Sequence, residues 1–124
     1  MTSRAQLSVY LVEPDLQERI RATRALASHV RQVVAFDGGR DFLAGPPLDH
    51  PACIVVALAL ADMQTADFVV AARASAPVIV VGRVDDVSVA VEMIRAGAAD
   101  VLDCPLDARR LRAAVRAAAA SVAT

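Results

Sequence analysis

Five short β-rich runs recur along the chain, Leu7 to Val12, Gln32 to Phe36, Cys53 to Leu58, Val78 to Val81 and Asp100 to Leu102, and each is followed by a helix-like or helix-permissive segment. Alternation of this kind points to a parallel sheet covered on both faces, because each strand must return through a crossover long enough to hold a helix. The first, third and fourth runs are almost continuously apolar, as strands buried on both faces must be, so these three are expected at the centre. Right-handed crossovers and short connections then favour a (βα)5 arrangement with strand order 2-1-3-4-5, whose functional crevice lies outside the carboxyl ends of the strands. With 124 residues and neither repeat nor linker, residues 1–124 are expected to form one domain.

The helices follow from caps and periodicity. Asp15 and Glu18 form a capping-box-like start, after which Leu16, Ile20, Thr23 and Ala27 share one face to about Ser28. Asp85 or Asp86 can cap a fourth helix whose Val87, Ala90, Val91, Ile94 and Ala98 form the expected core stripe, with Gly97 at its end. That assignment leaves Val89 and Met93 on the outside. Asp107 can cap the fifth helix, with Leu111, Ala114, Val115, Ala118 and Val122 facing inward. Residues 38–44 and 65–75 fill the remaining helical slots with weaker patterns, and Gly45-Pro46-Pro47 breaks the chain before the third strand.

Composition removes several function classes. Hydrophobic residues are 56% of the chain and aromatics 3%, so a core of Ala, Val and Leu is available and disorder is excluded. Thirteen basic residues, every one arginine, nearly balance fourteen acidic ones, which gives no bulk attraction to nucleic acid or an acidic membrane. The longest apolar candidate, Ala52 to Ala61, is far short of the roughly 18 residues a membrane span needs, and no signal peptide is visible at the start. A cytoplasmic protein with free thiols at Cys53 and Cys104 is expected. His29 and His50 lack zinc-site spacing to these cysteines and read as solvated.

The strand ends carry Glu13-Pro14-Asp15, Ala57 to Met63, Gly82-Arg83 and Cys104-Pro105. Together with Val9 to Val12, Phe42-Leu43, Leu58-x-Leu60-x-x-Met63, Pro77 to Val81 and Ala96-Gly97-Ala98-Ala99-Asp100-Val101-Leu102-x-x-Pro105, they make the chain resemble, over essentially its whole length, the receiver domains of two-component response regulators, nearest the FixJ-type branch. The resemblance implies a flavodoxin-like fold, a cis Cys104-Pro105 peptide and a crevice in which an aspartate accepts a phosphoryl group from a kinase histidine.

The matched positions depart from that chemistry together. Ala57 stands at the phosphoacceptor and its methyl group cannot attack phosphorus. Pro14 replaces one of the paired acids that the family uses for Mg²⁺, leaving Glu13 and Asp15 as remnants. Gly82 replaces the hydroxyl residue and Cys104 the charge-stabilising lysine. A degenerate receiver that is not an enzyme and binds neither metal nor cofactor is expected. A laboratory replacement of aspartate by Ala57 alone would leave Pro14, Gly82 and Cys104 unexplained. Asp15 and Asp62 are weak substitutes for the nucleophile, since Asp15 is needed as a cap and Asp62 lies beyond the strand end.

Function is then expected to reside in a surface. The resemblance implies that the fourth helix, fifth strand and fifth helix form the contact face, and the residues singled out there are Val89, Met93, Val101, Arg109, Arg112 and Arg116. Val101 occupies the position of the family's aromatic switch residue. The partner is a protein, whether a histidine kinase, a response regulator or a second copy in a homodimer, with no direct contact to nucleic acid or membrane. The competing expectation is a sensor in which the emptied crevice takes a small ligand or Cys104 reacts as a thiol of lowered pKa.

Overall fold

The computed structural model describes residues 6–122. Five strands, β1 (Ser8–Val12), β2 (Gln32–Phe36), β3 (Ala52–Ala57), β4 (Val78–Gly82) and β5 (Asp100–Asp103), alternate with α1 (Leu16–Leu26), α2 (Gly39–Leu43), α3 (Thr65–Ala72), α4 (Val87–Ala96) and α5 (Ala108–Val122). All pairings are parallel and the order is β2-β1-β3-β4-β5, as expected. β1 and β3 are buried along their whole length and β4 up to its last residue. The structure shortens α2 and α3 relative to the expected spans.

Side chains alternate across the sheet with a period of two. Val9, Leu11, Cys53 and Val55 point into the layer made by α1 and α5, whereas Tyr10, Val12, Ile54 and Val56 point toward α2, α3 and α4. All four aromatic residues of the chain lie on the second side. Phe42 is their hub, with ring centroids 5.4 Å from Phe36, 5.5 Å from Phe68 and 6.1 Å from Tyr10. In α5, Leu111, Ala114, Val115 and Ala118 are buried as expected; the side chain of Val122 lies outside the described residues.

Two helices turn the other way from their expected faces. In α1 the buried residues are Ala22 and Leu26, while Leu16 is 56% exposed, and Ile20 and Ala27 also face outward. In α4 the buried residue is Met93, only 3% exposed, with Val89 half-buried. Val87 is 77% exposed, Ile94 49%, and Val91 is exposed too. Both sides of α4 are apolar, so periodicity alone does not choose between them. Ala98 is buried as expected, but Gly97 adopts a left-handed conformation with φ of 115°, so Ala98 leaves the helical period and says nothing about which stripe faces inward.

Candidate functional site

Beyond the carboxyl ends of the strands, or at them, the chain places Pro14, Ala57, Gly82 and Cys104. After β1, Asp15 caps α1 by accepting the Glu18 N–H at 3.1 Å, and the reciprocal bond of the cap comes from Glu13, whose Oε2 accepts the Asp15 N–H at 3.1 Å. The Glu18 carboxylate instead pairs with Arg21 at 3.1 Å. Arg19 donates to the Glu13 carbonyl at 2.9 Å. Burial raises the Glu13 carboxyl above its ordinary range, and the charges of Asp15 and Glu18 add to that, against the Asp15 N–H and Arg19. These acids are committed to starting a helix.

At the end of β3, Ala57 is buried and offers only a methyl group. Thr65 Oγ1 turns back from α3 to the strand end, 2.7 Å from the Leu58 carbonyl and 3.1 Å from that of Ala57. At the end of β4, Gly82 sits so close to β3 that a β-carbon on it would lie 2.4 Å from Leu58 Cβ. Any hydroxyl-bearing side chain would need that β-carbon. After β5, Cys104 is half-buried and its peptide bond to Pro105 is cis, as the resemblance implies.

What remains between these ends is a cavity of about 10 Å³ lined by Leu11, Glu13, Glu18, Ala57, Val81 and Leu106. That is at the lower limit for a single water molecule. The residues do not fit Mg²⁺: Glu13 and Glu18 are the carboxylates at the cavity, and among the described residues no three His, Cys, Asp or Glu side chains gather closely enough to hold an ion.

The thiols also differ from the sensor expectation. Burial raises the Cys104 thiol above its ordinary value, and Glu18, Asp103 and Glu13 push further in that direction, with Arg83 opposing. A thiol that holds its proton is a poor nucleophile, so the lowered pKa expected from nearby helix ends gives way to a raised one, through burial first and the surrounding carboxylates second. Cys53, fully buried in β3, is pushed up to about 12 by desolvation. Both cysteines are free.

Asp62, the distant candidate nucleophile, has a structural task the sequence conceals. Its Oδ1 accepts the Gly39 N–H at 3.1 Å and its Oδ2 the Arg40 N–H at 2.9 Å, while Arg40 Nε donates to its carbonyl at 3.1 Å. It caps α2 from the loop between β3 and α3, and the bonds from the Arg40 and Gly39 N–H groups hold its carboxyl below the usual range. His29 and His50 are exposed, as expected.

The residues expected to form a contact face are only partly brought together. Arg109 and Arg116 are exposed on α5, but Arg112 turns to α1 and donates to the Ala25 carbonyl at 3.2 Å. Val101 on β5 is half-buried, Val89 is half-buried and Met93 is inside. The outward apolar stripe of α4 is Val87, Val91 and Ile94, recurring at positions i, i+4 and i+7.

No family model matches the sequence, and no curated protein matches it. Solved structures do. The signal receiver domain of a protein from Vibrio parahaemolyticus superposes with a TM-score of 0.85 at 25% identity over 95% of this chain and 93% of that one. Full-length FixJ from B. japonicum gives 0.82 at 24% identity, covering 98% of this chain and 62% of FixJ. The signal receiver domain of a signal transduction histidine kinase from Syntrophus aciditrophicus gives 0.80 at 19% identity over 93% and 91%. The chain therefore has the receiver-domain fold of two-component response regulators. Among the described residues no helix is long and apolar enough to cross a membrane.

Proposed function

We propose that the chain is a cytoplasmic pseudo-receiver: it performs no phosphoryl transfer and acts as a protein-protein contact module whose partner is a second copy of itself. The observation that supports this most directly is the contact between Leu58 and Gly82, which leaves no space for a hydroxyl side chain beside a strand end that already lacks its carboxylate. Phosphoryl transfer needs nucleophile, cation and charge clamp together, and here nucleophile and clamp lack their side chains while the cation site keeps only Glu13 of its paired acids.

The face presented by α4, β5 and α5 is the one suited to contact. Val87, Val91 and Ile94 form a ridge about 10 Å long on α4, and α5 presents the small exposed residues Ala113, Ala117 and Ala120 at the same spacing. Both helices run antiparallel to the strands, so a two-fold axis along the strand direction lays α4 of one copy parallel to α5 of the other. That register brings Asp85 and Asp86 toward the second copy's Arg109 and Arg110. Among the described residues none of these four makes an ion pair within its own chain. Large apolar knobs against a flat alanine strip, flanked by complementary charge, suit an isologous dimer.

The test of the chemical half is an NMR titration with beryllofluoride and Mg²⁺. The expected spectrum is unchanged around residues 57, 82 and 104. Saturable amide shifts spreading from those positions would reject the reading.

A further inference from the structure

The contact that closes the crevice also fixes the approach to α4. The Leu58 N–H donates to the Val81 carbonyl at 2.8 Å, its carbonyl takes the Thr65 hydroxyl at 2.7 Å, and its β-carbon occupies the space beside Gly82. On the other side of Gly82, the Cys104 N–H donates to the Gly82 carbonyl at 3.0 Å, and Asp103 Oδ1 accepts the Val84 N–H at 2.9 Å. The connection from Gly82 to the α4 cap, Asp86, holds only Arg83, Val84 and Asp85, so it has little slack.

We propose that Leu58, Gly82 and Asp103 form a latch that welds the ends of β3, β4 and β5 and holds the β4 to α4 connection, and α4 behind it, in a single arrangement. Moving the connection toward the crevice would drive Gly82 into Leu58 Cβ, an atom fixed to the backbone that no rotamer change can withdraw. Moving it outward breaks the bonds of Val84 and Cys104. The latch deepens the reading above by making the α4 face constitutive, and it rests on that reading only in taking α4 as the working face.

The decisive variants follow from the atom involved. Gly82→Ala forces the strand ends apart, so hydrogen exchange at the Val84 and Cys104 amides should rise at least about tenfold while Val9 to Leu11 in β1 keep their protection. Because the obstacle is a β-carbon, Leu58→Ala in the Gly82→Ala background should leave the exchange fast. Leu58→Gly in that background should bring it back to within about threefold of the parent. Unchanged exchange in Gly82→Ala, or equal behaviour of the two double variants, would overturn the latch. Should Gly82→Ala fail to fold, Asp103→Ala opens the second fastening, and parent-like exchange at Val84 in that variant would count equally against it. Sedimentation of the same samples separates the two ideas. A monomeric parent whose Gly82→Ala variant still frees the connection removes the dimer and leaves the latch, whereas a dimeric parent with an unresponsive Gly82→Ala variant removes the latch alone.

Discussion

The strand-end crevice and the outer face of α4 depart from an ordinary globular surface in opposite directions. At the crevice, Leu11, Ala57, Val81 and Leu106 leave about 10 Å³ of space in which Glu13 and Glu18 are the charged groups, and Gly82 is pressed against Leu58 beside it. On α4, apolar side chains stand where water would favour polar ones, with Val87 and Ile94 among the most exposed aliphatic residues described. Scattered exposed aliphatics are ordinary, but three in one helical stripe beside a closed site form a contiguous patch. On the reading proposed above, the difference teaches that chemistry and recognition are separable in this fold, the first filled in while the second keeps its geometry.

The sharpest way to break the comparison is to exchange the two sides of α4. Met93→Glu places a carboxylate in the apolar core on the α2, α3 and α4 side of the sheet and should cost several kcal/mol, enough to unfold a domain of ordinary stability. Thermal unfolding reads this, and a Met93→Glu variant as stable as the parent would reverse the assignment of faces. Val87→Glu with Ile94→Glu should instead leave stability within about 1 kcal/mol and weaken self-association by at least about a hundredfold, measured by sedimentation.

The crevice side is sharpened by restoring what is missing. Ala57→Asp supplies a carboxylate at a buried position with no cation or lysine to meet it, so it should destabilise the fold by about 1–3 kcal/mol and still take up no phosphoryl group from acetyl phosphate with Mg²⁺. Intact-mass measurement reads the second part.

Smaller effects separate structural acids from catalytic ones. The folded-state pKa of Asp62 lies below its ordinary value of 3.8, so its contribution to stability is fully present above 3.8 and is lost as pH falls through the lowered value. Asp62→Asn should therefore lower stability at neutral pH and flatten the acid limb of the stability profile. The smallest expected effect is at Cys104, whose raised pKa predicts slow alkylation at neutral pH that accelerates only on the alkaline side of the ordinary thiol value. Rapid alkylation near neutrality would return the crevice to the list of reactive sites.

The parallel sheet was legible because burial on both faces forces continuous apolar text, and β1, β3 and β4 supply it without interruption save for Ser8, whose buried hydroxyl takes a hydrogen bond from Gln32 at 3.0 Å. The resemblance led to Ala57 and Gly82 as strand-end positions, and the structure sets them at the ends of β3 and β4. Helix orientation was not. In α1, Leu16 and Ile20 face outward while Ala22 and Leu26 make the contact, so large aliphatics stand on both sides and the apolar stripe alone misleads. In α4, valines on one side and Val89 with Met93 on the other leave the pattern ambiguous. The capping of α2 by Asp62 and the approach of Leu58 to Gly82 join residues far apart in sequence, and no local pattern announces either.

Sedimentation velocity of the untreated protein, repeated after incubation with acetyl phosphate and Mg²⁺, tests most directly whether contact has been separated from chemistry. The account predicts a dimer whose dissociation constant is the same in both samples. A monomer that associates only after exposure to the donor, with a phosphoryl group recovered on the chain, would contradict it.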